Sequence, residues 1–419
     1  MKFKLKLKAP ASFWDTLEEW GFFVYLLFAQ PNLVIPPIIR KFMNLLGYII
    51  MLLVLIRHWK RIMYISSKDI LLIVMLTLSA LSIFWAAVPD ATAESVRALM
   101  RTTIIGMYFA VCYSPLKMRK LLTKLLAIWG ITSLMAAAVP GYGIVASGNH
   151  AGNLVGIFSF KNTLGQSMGL AAIMASIAWI SGQGNRLVPK ISLVIALGMV
   201  FLSGSKTSLV SLVFAFSITP LYFFSRQRFK VRALLYTVAV LFGIGSVLFV
   251  STNLELVVVD WLGKDLTFTG RFDLWAAVVR QGMERPWLGY GHGGFWNTAY
   301  AINAAVEKGW PPLPQTGVYL DSLHSHNGFV EIFVQLGVVG LVLAIAHFAI
   351  LFSRYVVVAL TQKDLESLWM LQYLIMIAVV NLTEAGTMLA PASFEWILYV
   401  AIALSLVRQN PTNLASEFG

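Results

Sequence analysis

The sequence predicts an all-α integral membrane protein with about twelve spanning helices, and three observations lead there. Of 419 residues, 58% are hydrophobic and only 12% charged, whereas soluble domains carry about a quarter charged residues. The apolar residues come in runs of about 17–25, the length that crosses a hydrocarbon core of roughly 30 Å. The 32 Lys and Arg fall between these runs, as in loops whose basic excess marks the cytoplasmic side. The formal charge of +13 is therefore a topological signal, and no nucleic-acid partner is needed to explain it.

Spans are expected near 17–35, 41–56, 70–88, 97–114, 120–139, 163–181, 187–203, 206–224, 232–252, 327–352, 366–383 and 393–408. With the N-terminus inside, about two thirds of the Lys and Arg fall on the cytoplasmic side, which puts both termini there. The basic stretch Lys2–Lys8 precedes no small-residue cleavage site, so it is expected to stay and to rest on anionic membrane lipids. Cys112 is the single cysteine, and no intrachain disulfide braces an external loop. There are no two similar halves of the kind whose interface holds the site in many transporters. The elaboration is late instead: residues 1–252 hold nine spans, 253–326 form one long outer (periplasmic) loop, and 327–419 hold three spans and a cytoplasmic tail.

Within that loop Arg271–Glu284 predicts an amphipathic helix, with Phe272, Trp275, Ala276 and Val279 on one stripe and Asp273 in the first turn, where a carboxylate suits the dipole. Pro286 and the glycines of Gly289–Gly294 end it. Polar groups cluster on the same predicted side. Lys206 sits in the tight turn Ser203-Gly-Ser-Lys-Thr-Ser208, where a cation either snorkels to headgroups or meets an anion. Lys161 and Asn162 open the sixth span, with Asn162 or Thr163 as a helix cap. Arg271 has Asp273 and Glu284 as local pairing partners. His324-Ser-His326-Asn327 precedes the tenth span, and histidine is the side chain suited to proton exchange near neutral pH. A two-histidine pair alone falls short of the three or four ligands of a zinc site, so no metal is assigned. Glu331 lies in the first turns of an apolar helix, where a carboxylate needs a partner, such as His326 or a nearby arginine.

Twelve spans, one large late outer loop, the Ser-Lys turn, Gly270-Arg271 before an amphipathic helix, and His324-x-His-Asn-x-x-x-Glu331 followed by Leu336-Gly-Val-Val-Gly-Leu341 together resemble the O-antigen ligase and polymerase superfamily. The resemblance covers most of residues 140–345. It implies a C-type glycosyltransferase-like fold in the bacterial inner membrane with its site on the periplasmic side. It also implies transfer of a saccharide from undecaprenyl diphosphate to a saccharide or lipid A-core acceptor, without cofactor. Arg271 matches the family's loop arginine and His326 its histidine, with His324 as the alternative. Lys206 stands where ligases usually carry arginine, losing the bidentate fork that suits phosphate. That lysine and the pattern Phe160-Lys-Asn-x-Leu-Gly165 are more similar to exopolysaccharide-type polymerases. On this reading Arg271, Lys206 and Lys161 hold the departing diphosphate, and His326 is the base, oriented by Glu331 or Asn327, in a single inverting displacement. An O-antigen ligase and a lipid-linked oligosaccharide flippase are the competing functions; a flippase needs ionisable groups deep in several spans, and here Lys and Arg gather at span ends.

Overall fold

In the computed structural model, residues 13–148, 150–182, 184–253, 256, 271–298, 301, 324–362 and 364–408 are described. Each predicted run overlaps a helix, with ends displaced by up to ten residues: α1 (Phe13–Phe28), α2 (Pro37–Ser66), α3 (Ile70–Leu81), α4 (Pro89–Cys112), α5 (Pro115–Ala137), α6 (Lys161–Ser181), α7 (Leu187–Leu202), α8 (Lys206–Phe224), α9 (Phe229–Thr252), α11 (Gly328–Gln362), α12 (Leu365–Asn381) and α13 (Phe394–Arg408), with α10 (Arg271–Gly282) between α9 and α11. The starts follow from the sequence. Proline occupies the first turn of α2, α4 and α5, where its missing N–H costs nothing. Asp69, Ser114, Ser205 and Asp364 each accept from an amide of the following turn, satisfying an otherwise orphaned donor.

By length and composition α2, α5, α6, α8 and α11 can cross a membrane, and Ile70–Trp85, Leu187–Leu202, Leu365–Asn381 and Phe394–Leu406 are shorter apolar helices. The apolar face of α2, including Phe42, Leu45, Leu52 and Ile56, points away from the protein, as a lipid-facing surface does. In contrast α6 is buried along most of its length and packs against α5, α7, α8 and α12. Close backbone approach locks α4 to α13: a Cβ on Gly106 would meet the Ile397 carbonyl oxygen at 2.7 Å, and Trp396 donates to Thr103 Oγ1 over 2.8 Å. At the helix ends remote from the candidate site, Arg119 pairs with Glu366 at 2.9 Å and ties α5 to α12.

Four expectations need correction. The fourth span, expected from residue 97, begins at Pro89; its first turns carry Asp90, Glu94 and Arg97, which hydropathy alone reads as loop. Arg101 is buried within α4, donating to Asn44 Oδ1 at 3.2 Å and lying over the Tyr48 ring. The α5–α6 connection is not wholly irregular: Gly143–Ile144 pairs antiparallel with Leu154–Gly156, and Leu33 bridges to Phe158.

The tenth span is not one straight helix. α11 breaks at Gly337, at φ 68° and ψ −168°, a conformation that L side chains avoid. Segment 285–291 fills the break, with Val338 N–H donating to the Pro286 carbonyl and Tyr290 and Gly291 N–H to the carbonyls of Val334 and Gln335. Finally, the packed stripe of α10 is Leu274, Ala277 and Val278, while Phe272 and Ala276 are exposed. The helix carries apolar residues on more than one face, and periodicity cannot choose between them. Packing against Tyr290, Phe295, Trp296, Phe333 and Val334 does, and burying Leu274 and Val278 contributes about 1.5–3 kcal/mol each. This small second core fixes α10 on the first half of α11.

Candidate active site

The polar groups at one end of the helices converge on Glu384, in the loop between α12 and α13. Its Oε1 accepts from Asn162 Nδ2 at 2.7 Å and from Arg271 Nη2 at 3.0 Å, and its Oε2 faces His326 Nδ1 at 3.3 Å. Arg271 also donates to the Thr383 carbonyl. One carboxylate thus joins the first residue of α10, the first turn of α6 and the loop before α11. Burial alone would raise its pKa, yet the His326 hydrogen bond and the Arg271 charge outweigh that and hold it below the usual carboxylate value.

The α7–α8 turn completes the cluster. Ser205 Oγ donates to Asn162 Oδ1 at 2.8 Å, and the Thr207 and Thr383 hydroxyls lie 2.9 Å apart. Asn162 is therefore a bridge between the turn and Glu384, not a helix cap; α6 has no side-chain cap. The turn needs Gly204, which has φ 61° and whose Cβ would strike Asn153 Oδ1 at 2.4 Å. Lys206, the next residue but one, is exposed at the start of α8 and forms no ion pair among the described residues. Lys161 lies beside it, its Nζ 3.1 Å from His150 Nδ1 and 3.4 Å from the Gly204 carbonyl oxygen.

His326 sits at φ 52°, a left-handed conformation that costs about 1–3 kcal/mol for a non-glycine residue and persists only where neighbours enforce it. They do so here. Asn327 caps the first half of α11, its Oδ1 accepting from Phe329 and Val330 N–H while its Nδ2 donates to the Leu382 carbonyl. Glu331 accepts from Trp296 Nε1 (2.7 Å), Ser325 N–H (2.9 Å) and Gln335 Nε2 (2.7 Å). Neither side chain bonds to the His326 ring, so the expected orienting partners, Asn327 and Glu331, hold the backbone while Glu384 orients the imidazole. His324 stacks edge-on to His326 with centroids 4.1 Å apart, and its Nδ1 accepts from His326 N–H at 3.2 Å. Burial first, and then its histidine neighbour, lower its pKa. His292 is withdrawn from any such role: it is buried in the turn after α10, and burial pushes its pKa down to about 4.

These groups open on a cavity of about 390 Å³ lined by Gln30, Asn32, Asn162, Gln166, His324, His326, Glu384 and Glu395, among others, within the usual range of about 300–1,000 Å³ for small-molecule sites. With Nδ1 on Glu384, the ring presents Nε2 as the remaining nitrogen, able to accept a proton. Donor atoms of His324, His326 and Glu384 lie within 4.8 Å of one another, the spacing of a metal triad. Yet both Glu384 oxygens are already engaged, one by a guanidinium, and that charge opposes a second cation. Glu384 was missed from sequence because a lone carboxylate after an apolar run resembles any loop residue. Its one signal is that residues 384–392 fall on the same predicted side as His326.

A multi-pass, mostly helical membrane protein with an imidazole–carboxylate–guanidinium site at one end of its helices is the class that fold and geometry define. Residues 191–345 match the family model described as O-Antigen ligase, a segment that contains Lys206, Arg271, His326 and Glu331 but not Asn162 or Glu384. The chain is also 25% identical over 285 residues to the exopolysaccharide production protein ExoQ of Rhizobium meliloti (strain 1021), covering 63% of this chain and 60% of that protein. Both matches support the O-antigen ligase and polymerase superfamily.

Proposed function

We propose that this protein is a membrane glycosyltransferase that moves an oligosaccharide from a polyprenyl diphosphate, undecaprenyl diphosphate in bacteria, onto a saccharide acceptor, and that it works as a polymerase of exopolysaccharide type. The observation that carries this is the shared carboxylate: Glu384 bonds to both His326 and Arg271, and His326 and Glu384 line a cavity. The reaction needs those roles together. An acceptor hydroxyl gives its proton to His326 Nε2 as its oxygen attacks the anomeric carbon. The bond from that carbon to the diphosphate breaks on the opposite side, inverting the configuration, and the diphosphate leaves with the electron pair. Arg271, Lys206 and Lys161 take up the charge that develops on it, and Glu384 stabilises the imidazolium, as the aspartate of a catalytic triad does.

His326 is preferred to His324 because it has the carboxylate partner, whereas burial lowers the pKa of His324 and its Nδ1 is occupied. The distribution of basic residues among the loops supports an outer, periplasmic position for this end of the helices. The family description keeps transfer to lipid A-core, a ligase activity, as the second reading. Surface polysaccharide from a deletion strain separates the two. Single units point to a lost polymerase, long chains stranded on the lipid carrier to a lost ligase, and unaltered polysaccharide would sink both. In purified protein, His326→Ala is expected to lower transfer by about 10²–10⁴-fold with donor binding retained, while His324→Ala keeps turnover; near-normal turnover by the His326 variant overturns the base assignment.

A further inference from the structure

Part of the cavity lining differs in chemistry from the His326–Glu384 part. Phe160 belongs to it while remaining 57% exposed, an unusual position for a large ring at a polar site. The amides of Gln30, Asn32 and Gln166 and the carboxylate of Glu395 line the same cavity. Glu395 Oε1 accepts from Gln30 Nε2 at 2.6 Å and Oε2 from Ser393 Oγ at 2.8 Å, both neutral donors. Gln30 is itself only 1% exposed, and Ser393 Oγ accepts from Trp396 N–H at 3.3 Å, so both donors to the carboxylate are held. Asn32 is held by Thr163 at 3.0 Å. The partners of Glu395 are neutral, so this part of the lining lacks the cations that a departing diphosphate needs. A flat apolar ring ringed by amides and a carboxylate is suited to a ligand that is apolar on one face and rich in hydroxyls at its edge, and a pyranose is such a ligand.

We propose that the wall formed by Phe160, Gln166, Gln30 and Glu395 is the binding subsite for the acceptor saccharide, with one sugar ring stacked on Phe160 and its hydroxyls donated to Glu395. The assignment rests on the transferase reading and adds the half of the site that reading leaves open. It places the acceptor in the same cavity as His326, whose Nε2 takes the hydroxyl proton. It also makes Glu395 a specificity-determining residue, because a sugar lacking the matching hydroxyl forfeits a hydrogen bond to the carboxylate.

The test uses the full chain in lipid nanodiscs and two probes: the free repeat-unit oligosaccharide released by mild acid from the strain's own polysaccharide, and the lipid-linked repeat unit extracted from a deletion strain. Phe160→Ala and Glu395→Gln are each expected to weaken oligosaccharide binding, followed by saturation-transfer NMR, and to raise the acceptor KM by about tenfold or more, with donor KM and saturating kcat little changed. Phe160 is exposed, so its variant guards against a loss that is merely one of folding. Transfer with an unchanged acceptor KM in both variants overturns the subsite and leaves the transferase reading standing. Oligosaccharide binding that both substitutions weaken, in a protein that never transfers from the lipid-linked donor, ends the transferase reading and leaves a saccharide site. A donor KM that rises as much as the acceptor KM also overturns the assignment.

Discussion

Replacing Glu384 by Gln tests the centre of the site with the smallest change in shape. The carboxylate accepts from three donors, Asn162, Arg271 and His326. An amide keeps one accepting oxygen and introduces an N–H₂ group that faces at least one of those donors with another. With Glu384 about nine-tenths buried at its side chain and Arg271 rather less so, the lost charge-assisted contacts are worth about 1.5–3 kcal/mol of stability, toward the lower end because Arg271 is partly screened. The catalytic loss is expected to be larger. The imidazolium loses its counter-charge in the step that forms it, and transfer should fall by about 10²–10³-fold, equivalent to about 2.7–4 kcal/mol of barrier. The assay is product formation from lipid-linked donor at equal folded concentration, alongside thermal unfolding from pH 3 to 7. A pKa depressed in the folded state contributes stability above the ordinary carboxylate value of 4.5 and loses it as pH falls through the folded value. The gap in Tm between parent and variant should accordingly close on acidification. Wild-type turnover, or a Tm gap that widens at low pH, would refute the reasoning.

Arg271→Ala should lower transfer roughly tenfold to over a hundredfold, and Lys206→Arg should keep more activity than Lys206→Ala; equal rates for the two Lys206 variants would remove that side chain from the diphosphate site. Chelation should leave transfer unchanged, since a guanidinium already occupies the carboxylate of the His324–His326–Glu384 triad; activity lost to chelator and restored by one divalent metal would contradict this. Gly337→Ala should lower Tm and activity together, because its Cβ would lie 2.2 Å from the Trp287 carbonyl carbon at a φ of 68°, a strain of about 1–3 kcal/mol before the clash is counted. Met283→Cys in a Cys112→Ser background should label from outside only, Met283 being 60% exposed; labelling only from the cytoplasmic side would invert the topology and move the chemistry with it.

The helices were legible because hydropathy and helix length report the same physical constraint, the thickness of an apolar layer. What hydropathy misses is whatever breaks that correspondence. The first turns of α4 are polar and still helical, held by a proline start and by the close approach of Gly291, Gly293 and Gly294 to Thr92 and Ser95. Gly337 interrupts an apolar run without altering its hydropathy, and only the chain at 285–291, which fills the break, makes the interruption stable. The stripe of α10 was legible as amphipathic but not as to which face, since Phe272 and Leu274 are equally apolar and only the partner surface distinguishes them.

The site was legible by half for a related reason. Lys206, Arg271 and His326 announce themselves, being charged or proton-exchanging groups in an apolar chain, but their partners are set by the third dimension. Glu331 was the nearer carboxylate to His326 in sequence, five residues on, and Glu384 the nearer in space across 58 residues. The difference has an energetic basis. Glu331 already has three donors, Trp296, Ser325 and Gln335, so its charge is satisfied without histidine. Glu384 has no comparable set of neutral donors among the described residues and draws instead on Arg271, Asn162 and His326. A carboxylate that is nearly buried must find such partners or give up its charge. At Glu384 the groups that satisfy it are the ones the proposed reaction uses, so the requirement that keeps the loops folded also holds the base and the leading cation side by side.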